Sequence, residues 1–252
     1  MAPKLFSVCC VVTILALLFT SGTDARHKTT KASKTTTITS TSSSTSAVTT
    51  LSTITTTASQ TGPTGISIAT SAPTSWVHPG VFVSGPQLDF VASKVQVSAQ
   101  PWSEAFTAML GDPLAASSRL PTPYVTVVCG PTSTPNIGCY DERDDSMAAY
   151  MNALAWWITK STQYANKATS YMDAWSGMLK AHSDSNAPLQ SAWSAANWVR
   201  AGEIMRYSNS SWPPSSITAF GNMLRNVYLP EIIGGSTSNG NWELGMFDQP
   251  AA

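Results

Sequence analysis

The sequence has little charge, and what it has is balanced: 14 Lys and Arg face 14 Asp and Glu in 252 residues, for a formal net charge of zero. A protein that holds nucleic acid through its phosphates needs a basic excess, so that class is excluded. Histidine is scarce, with His27, His78 and His182 the full set. Of the four cysteines, Cys9 and Cys10 fall in an N-terminal apolar run, which leaves Cys129 and Cys139. Neither has a histidine or a second thiol pair beside it, so no metal site is expected there. The acidic run Asp141, Glu142, Asp144 and Asp145 lacks the turn glycine and alternating ligand spacing of a calcium loop. Those carboxylates read instead as favourable charges at a helix N-terminus. Long apolar runs are missing too: Leu5–Phe19 is shorter than the ~20 residues that span a bilayer. No repeat of fixed period is present, which excludes a solenoid.

What is there divides the chain in three. Residues 1–25 have the form of a secretory signal, with Lys4 ahead of the apolar run and small residues after it. Residues 26–75 form a linker in which, over Thr29–Ser75, about three residues in five are Ser or Thr. Such a stretch cannot bury enough apolar surface to offset its ordering entropy, so it is expected to be disordered and O-glycosylated. Residues 76–252 are the globular part. Secretion places Cys129 and Cys139 in an oxidising compartment, and their spacing of ten residues across Pro131, Pro135 and Gly138 predicts a disulfide. Asn209-Ser210-Ser211 is an N-glycosylation sequon between helical stretches.

Apolar residues then recur at helical spacing. Leu88, Val91 and Val95 share a face behind Pro86, and Trp102, Phe106, Met109 and Leu110 share the next. Met147, Tyr150, Met151, Leu154 and Ile158 form one stripe; Ala165, Ala168, Tyr171, Met172, Trp175 and Leu179 form another. Leu189, Trp193, Ala196, Arg200, Ile204 and Tyr207 follow, then Ile217, Phe220, Met223, Leu224, Val227 and Tyr228, stopped by Pro230. Short breaks between the stripes predict an all-α fold of antiparallel helical hairpins. Nine tryptophans and seven tyrosines suit a large helical core or a sugar-binding groove.

Several segments carry a resemblance in order: His78–Ser84 (HPGVFVS), Pro101–Trp102, Cys129–Cys139 (CGPTSTPNIGC), Asp141–Tyr150 (DERDDSMAAY), Asn186–Trp193 (NAPLQSAW), Arg200–Tyr207 (RAGEIMRY) and Asn239–Met246 (NGNWELGM). Together they resemble a secreted, mainly fungal, alginate-lyase-like family among the α/α-toroid polysaccharide lyases. The resemblance covers roughly Trp76 to Met246 and implies an incomplete α/α toroid and β-elimination of a uronate polysaccharide such as alginate, with no cofactor. It implies an acidic polysaccharide as partner for a secreted monomer, with no membrane association once the signal is removed.

In that reaction the C5 proton is removed while a neutral donor stabilises the charge growing on the uronate carboxylate. The resemblance points to Asn241, with Asn239 second, as that donor; a plain helix cap is the other reading of Asn241. Trp242 stands where some relatives carry a histidine base, so that role is not transferred. His182 is a weak candidate for a base, in a loop that could face a groove. Gln190, Trp193, Arg200 and Trp242 are candidate substrate-binding residues. For Trp193 the core is the competing role, and for Arg200 a salt-bridge ladder with Glu203 and Arg206. The histidine and tyrosine that serve relatives as base and acid lie beyond the asparagine segment, so the chain reads as shortened and its activity as impaired. Two further readings stay open: a non-catalytic binder of acidic polysaccharide, and an α/α-toroid glycoside hydrolase using a carboxylate pair drawn from Glu203, Glu231 and Glu243.

Overall fold

The computed structural model describes residues 75–247 except positions 132, 209, 210 and 239. The signal, the Ser/Thr-rich segment, Asn209 and Asn239 therefore lie outside the described residues. The described residues are 64% helix and 4% strand, which places them in the all-α class expected from the stripes.

Helix α1 spans Gly85–Gln96 and α2 spans Trp102–Leu110. The start of α1 is set locally: Ser84 caps it in a reciprocal capping box, its own N–H donating 2.9 Å to the Gln87 side chain. A short 3-10 turn at Pro113–Ala115 leads into strand β1, Thr126–Val128. Helices α3 (Cys139–Thr159) and α4 (Thr162–Met178) form a hairpin, and strand β2 (Ala181–Ser183) returns beside β1 in parallel. Helix α5 runs from Ala187 to Tyr207 and α6 from Pro214 to Met223. A π-helical turn at Leu224–Tyr228 joins α6 to the short helix α7, Leu229–Ile232, and α8 is Asn241–Phe247.

Helix α3 is the central element, packed against α1, α4 and α5. Its stripe is buried as expected: Tyr150, Met151, Leu154 and Ile158 are at most 4% exposed. All six stripe residues of α4, from Ala165 to Leu179, are buried as well. The abundant indoles serve the core, and five of their polar tips have identified acceptors, Trp156 donating to Ser208. Trp175 donates to Asp145, Trp198 to Tyr228, Trp157 to Asp89, and Trp212 to Asp173.

Three local expectations are corrected. On α5 the core tryptophan is Trp198, fully buried, while Trp193 is 36% exposed and Tyr207 38% exposed. Helix α5 is enclosed on most of its circumference, so the stripe through residues 193, 200 and 207 is the side left open. Pro230 does not stop the α6 stripe: the π turn lets the chain pass, with the Leu229 N–H bonding five residues back to Leu224 O. A proline near the start of α7 then sits where a missing N–H costs little. The two-stranded ribbon β1–β2 was not foreseen, being only three residues long on each side.

The end of the chain also differs from expectation. Met246 is buried with Ala192 of α5 and Ile232 of α7, and Trp242 packs against that small cluster. Met246 and Trp242 are therefore covered, while Leu244 is 69% exposed. Asn241 is the first residue inside α8, exposed, and it is Gly240 (φ +82°) that precedes the helix and accepts from Leu244 N.

Candidate functional site

Two constellations converge on the α3–α5 interface, one sealed and one open. The sealed one is centred on Glu142, in the first turn of α3. Glu142 is 0% exposed. Its Oε1 lies 2.6 Å from Nε2 of His182 and accepts from the Tyr228 hydroxyl at 2.6 Å; its Oε2 accepts from Nε2 of Gln190 at 2.6 Å. The Gln190 amide also donates to Cys139 O at 2.9 Å, and Trp198 donates to the Tyr228 oxygen at 2.9 Å.

Each member is placed by its element. His182 is the middle residue of β2, opposite Val127 of β1. The Cys129–Cys139 disulfide, with Cα atoms 5.9 Å apart, ties the end of β1 to the first residue of α3. Gly138 caps α3 at φ +74°, and a Cβ there would stand 2.8 Å from the Tyr124 ring, so only glycine fits. Gln190 is in the first turn of α5, and the π turn presents Tyr228. His182 therefore does not face a groove, as the loop reading expected, but is buried inside the fold. Its Nδ1 has no hydrogen-bond partner among the described residues. Burial and the Glu142 carboxylate together push the Tyr228 hydroxyl well above its ordinary pKa, so it is a fixed donor.

A second carboxylate from the same run is also buried. Asp145 accepts from Arg119 at 2.5 Å, the Thr122 N–H at 2.7 Å and the Trp175 indole at 2.7 Å. Burial raises its pKa, against the pull of those three donors. The acidic run does sit at the N-terminal end of α3, with Asp141 and Glu142 in its first turn, and two of its four carboxylates are buried there. Residues 142 and 145 are three apart on the face of α3 that meets the core, which is the signal that could have revealed them.

The open constellation is the exposed side of α5. Trp193, Asn197, Arg200, Glu203 and Tyr207 fall within an arc of about 120° along roughly 21 Å of helix. At one end Arg143 of α3 stacks its guanidinium 4.8 Å from the Tyr140 ring and 5.4 Å from the Trp193 ring. Helix α8 abuts that end through Gly245, placed against Ala192 and Trp193. Midway, Arg200 lies 4.8 Å over Phe82. At the other end His78 stacks on Tyr207, centroids 3.8 Å apart and planes within 8°. Nδ1 of His78 is 2.9 Å from Glu203 Oε2, which also accepts from Gly80 N at 3.3 Å. Glu203 thus turns to His78, outside the ladder expected on α5. The His78 and Glu203 side chains are 32% and 20% exposed. In the neutral ring that gives Nδ1–H to the carboxylate, Nε2 is the acceptor.

Of the residues singled out from the sequence, Trp193 and Arg200 stand on this open strip and Trp242 lies in the α8 contact beside it. Gln190 and His182 are held in the sealed cluster. The pairing of His78 with Glu203 was missed: Glu203 was weighed as a ladder residue or a hydrolase carboxylate, and residues 125 positions apart in sequence carry no local sign of pairing. Among the described residues no cluster of His, Cys, Asp and Glu could hold a metal ion. No helix among them is long and apolar enough to cross a membrane. No family model, curated protein or solved structure matches the chain.

Proposed function

We propose that the protein is a secreted polysaccharide lyase-like protein that takes a uronate-containing chain such as alginate along the open strip of α5, and that His78 is its base. The observation that carries this reading is the His78–Glu203 pair stacked on Tyr207, at one end of a strip that carries aromatic faces and guanidinium groups. Aromatic faces suit the apolar faces of sugar rings, and arginine suits carboxylates. The helical hairpins would then form part of an α/α toroid, with the strip lining its groove.

In the proposed step Nε2 of His78 takes the C5 proton. Glu203, accepting from Nδ1–H, stabilises the imidazolium that forms. Arg200 opposes the charge growing on the uronate carboxylate, the part that the resemblance assigns to Asn241 or Asn239. The C4–O bond breaks as the C4=C5 double bond forms, and the leaving oxygen takes a proton from the Tyr207 hydroxyl or from water. The hydrolase reading is less favoured, because Glu203 is engaged by His78 and Gly80, and Glu243 accepts from Ser236 N at 3.1 Å.

The test is to assay the purified chain on several polyuronates for the ultraviolet absorbance of a 4,5-unsaturated product. His78→Gln should lower kcat about 100-fold or more, while Trp193→Ala should raise KM. Binding that is lost in Trp193→Ala, without any product, would favour a non-catalytic binder, for which the Tyr140–Arg143–Trp193 stack alone suffices. Neither product nor binding would defeat both readings.

A further inference from the structure

A cleft among the described residues lies away from the open strip. It has a volume of about 590 Å³ and lies between the Pro113–Ala115 turn, the middle of α3 and the first turns of α4. Asn152, its α3 residue, is nine positions beyond Arg143, which at 100° per residue puts it about 180° around the helix from the strip. The cleft is therefore separate from the strip, and its ligand chemistry is independent of the function proposed there.

The lining is polar and carries one sign of charge. Asn152, Gln163 and Asn166 supply amides, Ser117 and Thr162 hydroxyls, and Lys167 the only formal charge among the lining residues. Asn152 is 1% exposed, and its amide N–H donates to Ala148 O at 2.8 Å. Its carbonyl oxygen has no partner among the described residues, so a buried side chain presents an unused acceptor to the cleft. Lys167 gives one N–H to the Arg119 carbonyl oxygen, which leaves two of its three donors. Helix α4 begins at Thr162 with no side-chain cap from Ser161. Tyr164 N and Ala165 N bond back to Ser161 O, and the N–H groups of Thr162 and Gln163 precede any intrahelical acceptor. The positive end of the α4 dipole thus opens on the cleft beside the lysine.

We propose that this cleft is a second ligand site, for a single small hydroxylated carboxylate of the sugar-acid class. The carboxylate meets Lys167 and the start of α4, and a ligand hydroxyl donates to the Asn152 carbonyl. A bare anion leaves that acceptor unused, and a neutral sugar brings no charge to the ammonium. Burial and the neighbouring Arg119 guanidinium already hold the Lys167 pKa below its ordinary value. A bound carboxylate relieves that repulsion.

The test is a ligand-observed NMR titration of the purified chain with glucuronate, with glucose and acetate as controls. Glucuronate should bind with a Kd of about 1 mM or tighter, and each control about tenfold more weakly or worse. Lys167→Gln should weaken glucuronate about tenfold. Asn166→Tyr, at an exposed position, should block the cleft without disturbing the core, its thermal midpoint serving as the check. The titrations are repeated in the Trp193→Ala background, which removes any uronate signal from the strip, and the losses in Lys167→Gln and Asn166→Tyr should persist there. The proposal is overturned by no glucuronate binding up to about 10 mM, by glucose or acetate binding as tightly, or by binding that survives Asn166→Tyr in that background. Loss in Trp193→Ala with none in Asn166→Tyr would also overturn it, assigning the signal to the strip.

Discussion

Replacing Glu142 with glutamine tests the sealed cluster with almost no change in volume. The carboxylate is wholly buried and accepts three donors, two on Oε1 and one on Oε2. A glutamine keeps one oxygen. If that oxygen stays with His182 and Tyr228, the new NH2 group faces Nε2 of Gln190, donor against donor. Gln190 cannot escape by turning its amide over, because the other hydrogen of the same nitrogen is given to Cys139 O. One clash of this kind leaves a buried donor unsatisfied, at a cost of about 1–3 kcal/mol. The two surviving bonds also weaken, since bonds to a charged acceptor are about twice as strong as neutral ones. The expected loss is about 2–4 kcal/mol, a large part of a total stability of about 5–15 kcal/mol. For a domain of this size that corresponds to roughly 5–15 °C in the thermal midpoint. Urea unfolding followed by tryptophan fluorescence measures it directly, and the Glu142→Gln/Gln190→Ala double variant should recover part of the loss, because the clash has gone. A Glu142→Gln change within about 0.5 kcal/mol of the parent would refute the reasoning, showing that the cluster holds nothing together.

The Tyr150 hydroxyl is buried without a hydrogen-bond partner among the described residues, so Tyr150→Phe should be neutral or stabilising by about 1 kcal/mol in urea unfolding; a clear loss would reveal an acceptor. Burial pushes the Tyr150 and Tyr171 hydroxyls up to about 12. The unfolded chain loses these protons near pH 10 and the folded one only near pH 12, so the contribution is complete below pH 10 and lost as the pH rises to about 12. For Tyr150 this amounts to about 2–3 kcal/mol, and Tyr150→Phe should flatten the alkaline limb of a urea-midpoint series; an unchanged slope would contradict the assignment. Removing the disulfide as Cys129→Ser/Cys139→Ser should cost about 2–3 kcal/mol in the chain-entropy model, and thiol labelling of the denatured parent should find no free cysteine at either position. In the lyase assay Glu203→Gln should lower turnover while sparing KM, since it removes the partner of His78 Nδ1 and leaves the binding strip intact.

The helical frame was legible because α3 and α4 are amphipathic in a way that spacing alone reports: nearly every stripe residue on them is buried. Helix α5 was harder to read. Its small residues Ala192, Ala195, Ala196, Ala201 and Gly202 let neighbours close in on most sides, so burial there does not follow the large side chains, and Trp193 and Trp198 exchange the places that periodicity suggests. Glu142 was hidden by its own context, because an acidic residue in a first turn already has a sufficient reason to be there. His182 and Gln190 drew notice as chemical types, but their partner comes from another element, and a buried pairing of that kind leaves no mark on local pattern. The His78–Glu203 pair is the same case at greater sequence distance.

The π turn at Leu224–Tyr228 carries one residue more than an α-helix would need to cover the same rise. Arg225 and Asn226, at its outer side, are exposed, so substitutions there meet mostly water. Deleting either would remove that extra residue, and the helix would close into regular α geometry over the same rise, with later side chains keeping their facing relative to α6. A further inserted residue has no such outlet. It would turn every later side chain by about 100° relative to α6, swinging Tyr228 away from Glu142 and Ile232 from the cluster that seats Met246. The segment is therefore open to change in residue identity and to the loss of one residue, and closed to gain. An insertion–deletion scan should find single-residue insertions there far more damaging than single-residue deletions.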